Sequence, residues 1–290
     1  MGEAAALRPL ASGKPHGEWF GLAGIAVMAL PTLLSLGRET WSTEAGAHGP
    51  IVLATGIWLF WRCWPEWVGT AQPGNPMLSG PLFLAMLPFY IFGRAYDFLL
   101  IEAGALFGAM GALFYGRFGA GVMRRHWFPF LYMAFLIPPP GWAVNYLTAP
   151  LKTLVSAISA DFMRGLGIPV YREGVTLYIA QYQLLVEDAC AGMNSLIGLL
   201  SISLFYIYVL RGAGWRYSLL LASLIVPIAV LANMVRITLL VLLTYYFGDA
   251  VAQGFLHSTA GFLLFALALA LIFAADALLG RLFQLREAGL

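Results

Sequence analysis

The amino-acid sequence predicts an all-α membrane protein, a polytopic bundle of about eight transmembrane helices with an interfacial helix and a small extracytoplasmic β-hairpin cap. Three observations lead there. Hydrophobic residues make up 61% of the 290 positions and charged residues only 10%, whereas roughly a quarter of a soluble domain is charged. Uncharged apolar stretches close to the ~20 residues that cross ~30 Å of hydrocarbon recur along most of the chain. Basic residues favour one side of the resulting bundle, as worked out below.

The first 18 residues read as a cytoplasmic tail. The apolar run Trp19 to Leu36 is followed by no small-residue cleavage site and by many further spans, so it is read as a retained helix and not a signal peptide. Further crossings are expected at residues 49–64, 78–93, 97–115, 120–137, 191–210, 217–247 and 258–277. With the N-terminus inside, Arg8, Lys14, Arg62, Arg117, Arg124, Arg125, Arg211, Arg216, Arg281 and Arg286 are cytoplasmic. Arg38, Arg94, Lys152, Arg164 and Arg172 are outside, a ten-to-five bias that fits the positive-inside rule. Residues 19–290 form a single polytopic membrane domain on this reading.

Two segments differ from simple spans. Pro138-Pro139-Pro140 cannot continue a helix, so the fifth crossing stops there, with Trp142 and Tyr146 at the interface. Beyond Leu147, the apolar Leu151, Leu154, Val155, Ile158 and Phe162 share one helical face, while Lys152, Ser156, Ser159 and Asp161 occupy the rest. This predicts an interfacial helix; the rival is a ninth crossing, which would invert every downstream loop. From Gly165 to Asp188 the pattern alternates, with Val175, Leu177 and Ile179 on one side and a turn signal at Glu173-Gly174, which predicts the hairpin.

The net charge of +2 and the lack of a dense basic run exclude nucleic-acid binding. The two cysteines, Cys63 and Cys190, fall near opposite faces of the membrane and cannot pair. Cys63, between Arg62 and Trp64, is read as structural. His16, His48 and His126 have no cysteine or carboxylate partners at metal spacing, so neither a metal nor a cofactor is expected. Arg94, Asp97 and Glu102 cluster at a short outer turn and are read as a structural ion pair.

Helix length brings three reactive groups to one height. At ~1.5 Å per residue, Cys190 to Arg211 is ~31 Å, Arg216 to Arg236 ~30 Å and His257 to Arg281 ~36 Å, all near the hydrocarbon thickness. Cys190, Arg236 and His257 then share the outer boundary. Cysteine supplies a nucleophile, histidine an acid/base and arginine a donor for a developing oxyanion, which completes the inventory for acyl transfer. Cys190 follows Glu187-Asp188 at a helix mouth, where Asp188 can cap the helix and the helix N-terminus favours the thiolate. Taken singly, each has a plainer role: Cys190 as a small packed residue, Arg236 as a snorkelling arginine, His257 as an interface residue. Arg236 stands among Met234, Val235, Ile237 and Leu239, with Asn233 as a second polar group, and an isolated charge there would be costly. The apolar run Ile237 to Phe247 requires that helix to tilt, to bend near Pro227, or to project into the cap.

These residues carry a resemblance. Val186-Glu187-Asp188-Ala189-Cys190-Ala191-Gly192-Met193-Asn194-Ser195-Leu196, Asn233-Met234-Val235-Arg236-Ile237 and His257 resemble the three signature blocks of the exosortase/archaeosortase family. Leu136-Ile137-Pro138-Pro139-Pro140, Leu166-Gly167-Ile168-Pro169-Val170 and Arg172-Glu173-Gly174 resemble it too. Ala191 departs from the serine that many relatives carry after the cysteine. The resemblance implies that residues 126–280 are the catalytic core, behind N-terminal helices in 19–125. It further implies a membrane-embedded cysteine transpeptidase or protease at the outer face of the bacterial inner membrane. Its partners would be the lipid bilayer and membrane-anchored proteins with a C-terminal sorting signal: a motif such as Pro-Glu-Pro, a transmembrane helix and a basic tail, often in bacteria that make exopolysaccharide. Cys190, Arg236 and His257 would be catalytic, with Asp188, Asn194 and Asn233 supporting. The competing readings are a transporter or lipid-handling protein, or a polysaccharide-export factor, without thiol catalysis.

Overall fold

A computed structural model of the chain describes residues 16–43, 46–179, 181–185, 196–209, 215–253 and 266–281. In chain order its elements are α1 (His16–Ser35), a π-helical turn (Leu36–Thr40), α2 (Gly49–Thr70), α3 (Pro76–Ala95), α4 (Leu99–Arg125), α5 (Trp127–Ala134) and α6 (Gly141–Gly165). Then come β1 (Val170–Glu173), β2 (Thr176–Ile179), β3 (Tyr182–Leu185), α7 (Leu196–Val209), α8 (Trp215–Phe247), α9 (Asp249–Gln253) and α10, the helical residues 266–281. Among the described residues, three helices are long and apolar enough to cross a membrane: Pro76–Ala95, Leu99–Arg125 and Tyr217–Phe247. The chain forms two compact units, one from residues up to Leu36 with Glu66–Arg125, the other from Gly37–Pro65 and the residues from His126 on.

In the first unit α4 packs against α1 and α3. Asn75 caps α3 by accepting the Met77 N–H at 2.9 Å, and Pro76 occupies the first turn, where its missing N–H costs nothing. The core is Met28, Leu106 and Ala109, lined by Phe83, Met86 and Tyr90. Glu102, 2% exposed, is buried in the same unit. It accepts the Thr32 hydroxyl at 2.8 Å and pairs with Arg94 at 3.4 Å. Arg94 also donates to Ser35 at 2.7 Å, so the cluster joins α1, α3 and α4. The ion pair expected from Arg94 and Glu102 is therefore present, while Asp97 is exposed in the turn with φ 56°.

The second unit holds the sheet. The strands run β1-β2-β3, all antiparallel, with Val170 opposite Ile179 and Thr176 opposite Leu185. Alternation turns Val170, Leu177, Ile179 and Leu184 inward onto Val155, Ala160 and Met163 of α6 and Ile237, Leu240 and Val241 of α8. A second cluster joins α7, α8 and α10 through Leu199, Ile225, Ala229, Ala268 and Ile272. A third joins α2, α5 and α7, where Phe128 stacks on Tyr208 at 4.0 Å and Thr55 bonds Tyr132 at 2.8 Å. Asp276 of α10 accepts the hydroxyls of both Tyr206 and Tyr217, tying α10 to α7 and α8.

Two expectations are corrected. The crossing at 120–137 is not one helix: α4 runs to Arg125 with a kink at Gly119, and a separate short helix, α5, follows His126. Gly119 has φ +79°, and a Cβ there would lie 2.0 Å from the Gln72 carbonyl oxygen, so only glycine serves. The cap is a three-stranded sheet and not a hairpin, because Tyr182–Leu185 adds a strand beside β2. On α6 each of the two faces read from the sequence is buried in part. Leu154, Ile158 and Phe162 are exposed, while Lys152, Ser156 and Ser159 are buried with Val155. Apolar side chains in lipid gain little by turning inward, whereas polar ones gain protein partners, as Ser156 does by donating to Thr153 and Gly174 carbonyls at 2.9 and 3.3 Å.

Candidate active site

The site is built around α8. Its 33 residues continue unbroken through Pro227 and span about 50 Å at ~1.5 Å per residue, well beyond the hydrocarbon thickness. The surplus has a destination: Ile237, Leu240 and Val241 enter the core formed by the sheet and α6. Among the alternatives left open by the sequence, projection into the cap accords with this packing.

Arg236 stands where α8 enters that core. It is 2% exposed, and Asn233, one turn earlier on the same face, is also buried. Desolvating a guanidinium costs several kcal/mol unless hydrogen bonds and charge offset it. A solvated, snorkelling role is therefore excluded for Arg236. Cys190, His257, Asp188 and Asn194 lie outside the described residues. Covalent geometry limits their reach from described neighbours. Leu185, the last residue of β3, precedes Cys190 by five residues, a reach of at most ~18 Å. Gln253, the last residue of α9, precedes His257 by four residues, at most ~14 Å. Leu184 of β3 packs in the same core as Ile237, the neighbour of Arg236.

Two features escaped the sequence reading. Lys152, 7% exposed on α6, donates to Asn145 Oδ1 at 3.5 Å. The signal was present: Thr148, Lys152, Ser156 and Ser159 form a polar stripe at helical spacing, which in a membrane helix points inward. The second is a cavity of about 310 Å³ lined by Thr40, Trp41, His48, Pro138, Asn145 and Ile197, among others. His48 reaches it by crossing α7 at Gly198, where a Cβ would lie 2.9 Å from the His48 Cβ. No sequence spacing relates residue 48 to residue 198, so this juxtaposition is a product of the fold. Among the described residues, no group of three His, Cys, Asp or Glu side chains gathers to hold a metal.

No curated protein and no solved structure matches the chain. A family model described as transmembrane exosortase matches residues 40–274. The matched stretch runs from the end of the π-helical turn into α10 and contains the Cys190, Arg236 and His257 blocks. With most of its length matched, the chain belongs to the transmembrane exosortase family.

Proposed function

We propose that this membrane protein is a thiol transpeptidase or protease that cleaves C-terminal sorting signals from exported proteins at the outer face of the inner membrane. Membership in the exosortase family, which supports a membrane transpeptidase role in general, is the observation that carries the reading. The burial of Arg236, next to Ile237 of the core that also receives Leu184 of β3, the strand that precedes Cys190 in the chain, adds to it.

The chemistry assigned to each residue follows from its type. The Cys190 thiolate attacks the scissile carbonyl carbon, and the Arg236 guanidinium stabilises the negative charge that develops on its oxygen. His257, as imidazolium, protonates the departing amine as the C–N bond breaks, leaving a Cys190 thioester. Neutral His257 then takes a proton from the acceptor, an amine or water, whose attack on the thioester releases the thiolate. A desolvated arginine suits the second role, since its donors act more strongly away from bulk water. Asp188, Asn194 and Asn233 are assigned to support these three. Residues 126–280 form the catalytic core, and the active site faces the periplasm across a bundle of about eight crossings.

The test is co-expression with a tagged reporter that ends in a Pro-Glu-Pro motif, an apolar helix and a basic tail. The wild-type chain shortens the reporter, and Cys190→Ala and His257→Ala leave it intact. Shortening by either variant at the wild-type rate would sink the reading.

A further inference from the structure

The cavity in the second unit is not accounted for by the three proposed catalytic groups. Its walls come from four places in the chain: the π-helical turn and the start of α2 (Thr40, Trp41, His48), the residues after α5, the first turn of α6 (Asn145), and Ile197. Pro138 and Pro139 form part of the wall and have no N–H to offer. The cavity is therefore lined by apolar ring and aliphatic groups together with side chains able to hydrogen-bond, those of Thr40, Trp41, His48 and Asn145. Lys152, buried behind the rim, donates to Asn145 Oδ1 at 3.5 Å, which leaves the Asn145 NH₂ to face a ligand.

Such a lining suits a ligand rich in carbonyl acceptors with compact apolar side chains, which describes a short stretch of extended peptide. The volume of about 310 Å³ falls at the lower end of the ~300–1,000 Å³ typical of small-ligand sites. Ile197 follows Cys190 by seven residues, so covalent geometry holds the two Cα atoms within ~25 Å, the span of a short extended peptide. Proline and other ring side chains dock well on aromatic-lined grooves because their backbone is already extended.

We infer that this cavity is the subsite that holds the sorting-motif peptide of the substrate, with Trp41 as the apolar wall and Asn145 as the donor to a motif carbonyl. The inference rests on the thiol-transpeptidase reading above. It makes Trp41 and Asn145 specificity-determining residues in a loop and a helix start that carry none of the proposed catalytic groups. Gly198 has a part as well, because its lack of a side chain lets His48 lie against α7 beside the cavity.

The experiment uses the full-length protein in native membranes and the tripartite reporter described above, with its motif intact or with the first proline of the motif changed to alanine. Asn145 is exposed near the start of α6 but accepts from the buried Lys152, so Asn145→Asp, which keeps that acceptor and loses the NH₂ donor, accompanies Asn145→Ala. Trp41 packs directly on Gly49, whose Cβ would lie 2.1 Å from the indole nitrogen, so Trp41→Phe accompanies Trp41→Ala. Asn145→Ala and Trp41→Ala are expected to lower processing at limiting reporter by about tenfold, the effect of one good contact. Labelling of Cys190 by iodoacetamide stays at the wild-type level, and Trp41→Phe retains most of the processing. The motif change costs the wild type more than it costs Trp41→Ala, because two groups in contact do not contribute independently. Wild-type processing by both Asn145→Ala and Trp41→Ala overturns the inference, as does strict additivity of the Trp41 and motif losses. Those results would leave the thiol reading standing, provided Cys190→Ala is inactive. Processing by Cys190→Ala would defeat both.

Discussion

Leu177 offers a measurable test of how the sheet is held on the helices. It is fully buried on β2, facing Val155 and Met163 of α6 and Ile237 and Leu240 of α8. Leu177→Ala removes the isobutyl group from a core drawn from three elements, none of which can close the gap by a side-chain rotation alone. A buried leucine truncated to alanine costs about 2–5 kcal/mol, the sum of lost transfer energy and the void left behind. Taking about 3 kcal/mol, and ~2–4 °C per kcal/mol for a domain of this size, the unfolding midpoint drops by about 6–12 °C. The assay is thermal unfolding of the detergent-solubilised protein, with the surviving monodisperse fraction measured after heating. Glu173→Ala, on the exposed face of β1, is the control and shifts the midpoint by no more than ~0.5 kcal/mol implies. Equal midpoints for the two variants would refute the packing of the sheet against α6 and α8.

The remaining predictions address the polar groups. Glu102→Ala removes the buried acceptor of Thr32 and the partner of Arg94 and destabilises the first unit by about 1–3 kcal/mol, read as a lower unfolding midpoint, while Glu102→Gln loses less. Arg236→Lys preserves the charge but not the planar fork of donors, and lowers reporter processing ~10²–10³-fold with the protein still folded. Cys63→Ala, at a buried position in α2, leaves reporter processing at the wild-type rate; a loss comparable to that of Cys190→Ala would reverse the roles given to the two thiols.

The parts of this fold that were legible in the sequence are those that depend on local rules. α3 and α8 begin and end within two residues of the apolar runs that announce them, because length and hydropathy decide a span. The triple proline ends one helical segment and lets α6 start at Gly141, with Pro140 at its N-cap. Glu173-Gly174 marks the β1–β2 turn, and Gly174 adopts φ +60° there. The third strand was missed because Ala180-Gln181 carries no turn chemistry. The burial of polar residues on α6 has a different origin. Amphipathicity fixes that a helix has two faces but not which one turns inward, and in a lipid setting Lys152 and Ser159 go in while Leu154 and Phe162 go out. For the candidate site, Arg236 was legible as an isolated charge in an apolar helix, whereas His48 beside Gly198 and the cavity they border depend on long-range packing alone.

The proposed reaction passes through a covalent intermediate at one sulfur. Acid-quenching a reaction with the tripartite reporter and measuring the intact mass of the protein tests this directly. The predicted result is an adduct on Cys190 equal in mass to the upstream part of the reporter, removed by hydroxylamine as a thioester is, and absent from Cys190→Ala. Reporter cleavage with no adduct on Cys190, continuing at full rate in Cys190→Ala, would contradict it.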